Sequence, residues 1–409
     1  MTCQRVVVIG SHARYLVDFR GALMQAMASQ GHEVIALAPD LDPARRAQLS
    51  AMGVQPRDLS LSRTGMNPLS DLRDIIGLYV QLRRLKPQVV FAYTIKPVIY
   101  GMLAAAMARV PRRFALITGL GYVFSDDGSP RERIVQAAAQ RLYRIALRRA
   151  EAIFMQNPDD ADEFVSRRIV ARDKIVRVNG SGVDLAQWPP LDLPVGPTTF
   201  ALAGRLLGPK GVREYVAAAR QVKAAHPEVR FLLLGALDTN PSAIGEAEVA
   251  SWVAEGVVEW PGHVAMRPWL AQTSVFVLPS YREGVPRSTQ EAMAAGRPII
   301  TTDVPGCRET VVAGENGYLV PPRDAGSLAA AMLSFVENPP QIAAMGRNSR
   351  RLAEERFDVR AINERMLAVM GLGATASRRQ TSGLPAEGER PAADQGGSAV
   401  DGARRQPSA

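Results

Sequence analysis

The stretch Ser274–Asp303 reads S-V-F-V-L-P-S-Y-R-E-G-V-P-R-S-T-Q-E-A-M-A-A-G-R-P-I-I-T-T-D. It opens on an apolar run, Val275–Leu278, suited to a strand buried on both faces. Pro279, Ser280, Gly284 and Pro286 then break the chain into a turn. From about Ser288 to Ala295 the residues favour helix, and Gly296 with Pro298 end it. A second apolar run, Pro298–Thr302, follows. Strand, loop, helix and strand in this order form one unit of a parallel α/β sheet.

Two carboxylates mark the unit: Glu283 on the loop and Glu291 on the helix. Eight steps of a largely helical interval separate them by roughly 12 Å. That is too far to share a proton or a metal ion, and a fitting reach for two ends of an extended ligand such as a nucleotide sugar. The helix start between them offers free backbone N–H groups, a common anchor for phosphate. On spacing alone, two solvated glutamates would look the same.

The same alternation runs outward in both directions. Toward the N-terminus, Arg5–Ile9 and Glu33–Ala38 read as strands around a helix over Phe19–Ser29, and the loop Gly10–Arg14 leaves a strand's C-terminal end. Ligands of open α/β sheets bind outside such ends. No G-x-G-x-x-G occurs there, so a dinucleotide site is not supported. Leu69–Leu85 reads as a helix and Gln88–Tyr93 as a strand. Lys96, just past that strand, is a candidate for anion or hydroxyl recognition, or a lysine snorkelling from a helix start. Arg113–Thr118 is a further strand, and the glycines of I-T-G-L-G after it either admit a ligand or make a tight turn.

Ser129–Ala150 reads as an Arg-rich helix. Ile134, Ala138, Leu142 and Ile145 share one face, while Arg141, Arg144, Arg148 and Arg149 project elsewhere. This suits an interfacial helix on anionic lipid, or a core-facing helix with a solvated basic side. Ala152–Gln156 is a strand, and N-P-D-D-A-D-E a capped helix start. The Pro-rich stretch after Leu185 reads as a linker. A second α/β series begins beyond it, with strands at Phe200–Ala203, Val229–Leu234 and Val257–Trp260 and a helix at Gly211–Val222. Arg205 and Lys210, beside Gly204 on a Gly-rich loop before a helix, form either a diphosphate cradle or an ordinary surface turn. Helices at Ala325–Glu337, Pro340–Phe357 and Val359–Met370 close the chain.

Composition bounds the rest. The sequence has 409 residues, enough for two domains. Net charge is +9, from 49 basic and 40 acidic side chains, which favours anionic partners. No nucleic-acid-binding motif accompanies it, so a nucleic-acid partner is not expected. With two cysteines, Cys3 and Cys307, neither a disulfide framework nor a zinc site is expected. The longest apolar runs, Val98–Ala108 and Phe114–Phe124, fall short of the roughly 20 residues of a membrane span.

R-E-G-V-P-R-S-T-Q-E-A-M-A-A-G-R-P-I-I-T-T-D-V-P-G-C-R-E-T closely resembles the donor-binding segment of retaining glycosyltransferases of family 4. The resemblance implies a GT-B fold: two Rossmann-like α/β/α domains facing across a cleft. The expected bounds are 1–185 for the acceptor-binding domain, 186–197 for the linker and 198–357 for the nucleotide-sugar-binding domain. A helix over 358–372 would cross back to the first domain, before a disordered tail over 373–409. In that family the first glutamate contacts the sugar and the second holds the ribose, which assigns these roles to Glu283 and Glu291. G-R-x₄-K-G is similar to its pyrophosphate clamp, matching Arg205 and Lys210. The N–H groups of Gly284, Val285, Pro286's neighbours and Arg287 would help bind the diphosphate, and Glu309 resembles a further donor-side position.

F-A-Y-T-I-K-P-V-I-Y-G and L-I-T-G-L-G-Y-V-F resemble a bacterial subgroup that builds surface polysaccharides on undecaprenyl diphosphate. The implied activity is transfer of a hexose or N-acetylhexosamine from a UDP-sugar to a lipid-linked saccharide, with retention, without a metal and without a cofactor. Gly10, Lys96, Thr118 and Gly119 would line the acceptor side. The family often carries a histidine after a first-domain strand; I-T-G-L-G lacks it, and His12 is the substitute at hand. The expected setting is the cytoplasm, in peripheral contact with the inner face of the plasma membrane. A UDP-N-acetylhexosamine 2-epimerase of the same fold and a non-catalytic nucleotide-sugar-binding subunit are the alternatives.

Overall fold

A computed structural model describes residues 2–61, 68–120 and 130–373. The expected tail beyond Gly373 and the end of the Phe114–Phe124 run lie outside them. The first lobe comprises β1 (Arg5–Ile9), α1 (Ala13–Ser29), β2 (Glu33–Ala38), α2 (Pro43–Ala51), β3 (Val54–Asp58), α3 (Pro68–Leu85), β4 (Val89–Tyr93), α4 (Ile95–Met107), β5 (Arg112–Ile117), α5 (Pro130–Leu147), β6 (Ala152–Met155), α6 (Pro158–Ser166) and β7 (Ile175–Arg177). The second comprises β8 (Thr199–Ala203), α7 (Val212–Ala225), β9 (Arg230–Leu234), α8 (Glu246–Ala254), β10 (Glu259–Gly262), α9 (Met266–Leu270), β11 (Val275–Leu278), α10 (Arg287–Ala294), β12 (Ile299–Thr302), β13 (Gly317–Val320), α11 (Ala325–Glu337) and α12 (Pro340–Arg356). The last helix among the described residues, α13, spans Val359–Val369.

Each lobe is one parallel sheet, ordered β3-β2-β1-β4-β5-β6-β7 and β10-β9-β8-β11-β12-β13. The strands are runs of Val, Ile, Leu and Phe because helices cover both faces; Val6–Ile9, Val89–Ala92 and Val275–Val277 are fully buried. Strand order reverses between β1 and β4, and again between β8 and β11. The loops leaving these four strands therefore flank a crevice, where ligands of such sheets bind.

Several elements differ from the sequence reading. α1 starts at Ala13 rather than Phe19, because His12 caps it: its Nδ1 accepts from the Arg14 N–H at 3.1 Å. α2 and β3 carry almost no apolar pattern. α2 buries only Leu49 and β3 is an edge strand that tolerates Pro56. The run Val98–Ala108 forms most of α4 and its C-cap, apolar on nearly all sides because α3 and α5 flank it. β10 lies two residues later than the expected Val257–Trp260, with an irregular register against β9. α5 turns Ala139, Tyr143, Ala146 and Leu147 to the core. The face carrying Ile134, Leu142 and Ile145 points outward, so that face is not core-facing.

The segment 186–198 has no helix or strand and runs along the second lobe, held by Arg297 donors to the carbonyls of Leu191 and Asp192. Beyond the second lobe, α13 buries Ile362, Met366 and Leu367 with Val6, Val8, Leu23 and Met24 of the first lobe. Arg112 donates to the Met370 carbonyl at 2.6 Å, fixing the end of that helix. The two crossings between lobes are paired: Val183 N–H donates to Phe357 O at 2.8 Å, and Val359 N–H to Val183 O at 3.1 Å.

Candidate active site between the lobes

The second-lobe side is built from two adjacent loops. β8 and β11 pair in parallel, so Gly204–Gly211 and Pro279–Pro286 leave the sheet side by side. Tyr281 N–H donates to Pro209 O at 2.9 Å, tying the loops together. This brings Lys210 Nζ into an ion pair with Glu283 Oε1, both largely shielded from solvent. Glu283 N–H donates to Pro305 O at 3.1 Å, so a turn below supports the loop. Cys307, in that turn, is buried and its thiol is pushed up to about 12, by burial first and then by the charge of Glu283.

Arg205 is more open and pairs with Asp238 at 3.2 Å. Glu291 lies one helical turn beyond Arg287 and accepts from its Nε at 2.8 Å. Burial raises the Glu291 carboxyl above its ordinary value; Arg287 pulls it back and Asp18 adds to the rise. Arg287 also reaches the first lobe, donating to the Asp18 carbonyl and lying 5.4 Å from the Phe19 ring centre. Glu309 sits half-buried on the short turn Arg308–Thr310.

The first-lobe residues singled out from sequence divide into two groups. Thr118 and Gly119 meet the second lobe directly. Gly119 has φ +126, and a Cβ there would lie 3.2 Å from Gly284 N; one on Gly284 would lie 2.3 Å from Thr118 O. Only glycine on both sides permits that approach. Gly10, His12 and Lys96 are each engaged within the first lobe. A Cβ on Gly10 would strike Leu16 and Tyr93, so it is a packing position. His12 is the α1 cap. Lys96 pairs with Asp71 of α3 at 3.1 Å, largely shielded from solvent.

Sequence reading missed the groups that join the lobes. Asn157 Nδ2 donates to Gly284 O at 2.7 Å. Arg282 Nη2 donates to Asp160 Oδ1 at 2.6 Å, and Arg308 Nη1 to Asp159 Oδ1 at 2.9 Å. N-P-D-D was legible as a helix cap, but no spacing links it to arginines more than 100 residues away. Arg14 and His263 meet at 2.8 Å elsewhere on the seam. Beneath it, Arg20 is buried against Tyr93 and pushed down to about 10, by burial first and Arg287 among the lesser causes.

Two family descriptions match the chain: "Glycosyl transferase 4-like domain" over residues 19–180 and "Glycosyl transferases group 1" over residues 197–338. The chain is a two-domain glycosyltransferase of the GT-B fold. This glycosyltransferase is 27% identical to the N,N'-diacetylbacillosaminyl-diphospho-undecaprenol alpha-1,3-N-acetylgalactosaminyltransferase of Campylobacter jejuni, over 87% of this chain and 96% of that one. It is 24% identical to the capsular polysaccharide biosynthesis glycosyltransferase CapM of Staphylococcus aureus, over 73% and 80% of the two chains. Anabaena HepE, solved with UDP and glucose, shares the fold at a TM-score of 0.72 and 17% identity, over 90% of this glycosyltransferase and 99% of HepE.

Proposed function

We propose that this glycosyltransferase moves a hexose or N-acetylhexosamine from a UDP-sugar to a saccharide on undecaprenyl diphosphate, with retention of configuration, in the building of a surface glycan. The observation that carries the reading is the meeting of Lys210 with Glu283 at the crevice, opposite Thr118–Gly119 of the other lobe. The name and near full-length match of the Campylobacter relative support the acceptor class.

In this reading Lys210 and Arg205 release part of their hold on Glu283 and Asp238 to grip the diphosphate. Charge develops there as the bond from the anomeric carbon to the phosphate oxygen breaks. Once so placed, these cations and the amide dipoles of the loop stabilise that charge, so the reading requires no metal ion. Glu283 orients the sugar and Glu291 the ribose. The acceptor hydroxyl attacks from the leaving-group side, and its proton passes to the departing phosphate oxygen. Radiolabelled UDP-sugars incubated with polyprenyl-diphosphate saccharides test this: label should enter the lipid fraction only with acceptor present. Conversion of UDP-N-acetylglucosamine to another UDP-sugar without acceptor would instead indicate an epimerase.

A lipid-linked acceptor calls for a membrane-facing surface, and α3, α4 and α5 supply a candidate. No helix among the described residues is long and apolar enough to cross a membrane. Leu69, Leu72, Ile76 and Val80 form an exposed stripe on α3, joined by Met107 on α4 and by Ile134, Leu142 and Ile145 on α5. The exposed charges described on α3 and α5 are all arginine: Arg73, Arg83, Arg84, Arg133, Arg141 and Arg144. A second copy would set arginine against arginine; an anionic bilayer would not. Vesicles with phosphatidylglycerol should sediment the protein and neutral vesicles should not. Leu72→Glu with Ile76→Glu should abolish the difference, and unchanged sedimentation would remove this face from consideration.

A further inference from the structure

Asn157 is fully buried and bifunctional. Its Oδ1 accepts from the Asp160 N–H at 2.7 Å, capping α6 of the first lobe. Its Nδ2 donates across the seam to Gly284 O at 2.7 Å and also to Asp160 Oδ2 at 3.0 Å. Asp160, 1% exposed, receives Arg282 from the other side of the same loop at 2.6 Å. The residues on either side of Glu283 are thus held by the opposite lobe: Arg282 through its side chain and Gly284 through its carbonyl. Within its own lobe the Glu283 backbone has the Pro305 carbonyl for support, and its side chain has Lys210.

We infer that Asn157, backed by the Asp160–Arg282 pair, is a positioning residue that sets the placement of Glu283 only when the two lobes are docked. Its side-chain oxygen and nitrogen are engaged by Asp160 and Gly284. Closure of the crevice would be reported to the sugar-contacting carboxylate through one amide hydrogen bond. A buried carbonyl that loses its donor finds no substitute in a dry seam, so the loop relaxes and Glu283 moves with it. The cations of the diphosphate grip, Arg205 and Lys210, belong to the second lobe and make no bond to Asn157. The inference rests on the reading of Glu283 given above.

Asn157→Ser tests it, because serine also caps helices well but is too short to reach Gly284. The turnover assay uses the UDP-sugar and polyprenyl-diphosphate saccharide that wild-type protein consumes; UDP is the calorimetric probe. Expected are an about tenfold lower kcat, a donor KM and UDP affinity within about twofold of wild type, and a far-ultraviolet dichroism melt with unchanged cooperativity. In a Glu283→Gln background the same change should have no further effect on kcat, since one contact acts through the other. Independent, multiplying losses in the double variant would overturn the inference, as would a wild-type kcat in Asn157→Ser. If Glu283→Gln alone left turnover intact, the reading of Glu283 itself would fail. A matched fall in UDP affinity would assign Asn157 a general structural role and refute the positioning role.

Discussion

Replacing Gly284 with alanine would force the lobes apart by a calculable amount. The added Cβ would stand 2.3 Å from Thr118 O and 2.4 Å from Gln156 Oε1. The closest comfortable carbon–oxygen contact is about 3.3 Å, so roughly 1 Å of displacement must be found. Thr118 O is backbone at a strand end and cannot swing away; Gln156 is buried. The displacement falls on the loop that carries Glu283 or on the docking of the lobes. Misplacing a positioned group by 1 Å can cost about a hundredfold in turnover, and overpacking costs about 1–3 kcal/mol of stability. Steady-state transfer by Gly284→Ala should therefore fall about a hundredfold, with UDP affinity in calorimetry changed far less. Gly245→Ala, where a Cβ meets nothing within 4 Å, is the matched control. Wild-type turnover in Gly284→Ala would refute the account of the seam as a rigid, close-fitting contact.

Lys210→Ala and Arg205→Ala should each weaken UDP binding about tenfold or more, as expected for a lost charge-assisted hydrogen bond, and lower turnover with it; unchanged calorimetric affinity in both would count against the clamp. Burial raises the Glu291 carboxyl above its ordinary 4.5, so it takes up a proton at higher pH than a solvated glutamate. UDP affinity should then decline as pH falls through that raised value, and Glu291→Gln should lose this component of the pH profile. Arg297, fully buried, donates to the carbonyls of Leu270, Leu191 and Asp192. Arg297→Leu should cost about 3 kcal/mol at about 1 kcal/mol per bond, read as a lower denaturation midpoint; an unshifted midpoint would contradict that role.

The second lobe was largely legible from sequence because its local signals agree with its tertiary structure. Val275–Leu278 is both a strand by pattern and central by topology, and the Gly-Pro punctuation around Glu283 sets the loop that topology places at the crevice. The first lobe was harder to read. His12 is an unusual cap, so α1 appeared six residues short. α4 is apolar on nearly all sides, so periodicity was silent. For α5 the apolar residues of one face left a lipid surface and burial both open, and the small residues Ala139 and Ala146 with Tyr143 take the core-facing place. Lys96 showed why a cation past a strand is ambiguous: its partner Asp71 lies on a neighbouring helix. The seam itself was invisible, because Asn157 with Gly284 and Asp160 with Arg282 are paired by the docking of two separately folded sheets.

The return of α13 to the first lobe has a bearing on how this chain comes into being. The apolar face formed by Val6, Val8, Leu23 and Met24 is finished only by Ile362, Met366 and Leu367. A ribosome must therefore deliver the whole second lobe before the earliest-made sheet can seal its last side. Until then that side is open to chaperones, to a membrane or to another nascent copy. A truncation that stops at Arg356 would not yield a trimmed enzyme but a first lobe left permanently in its half-made condition.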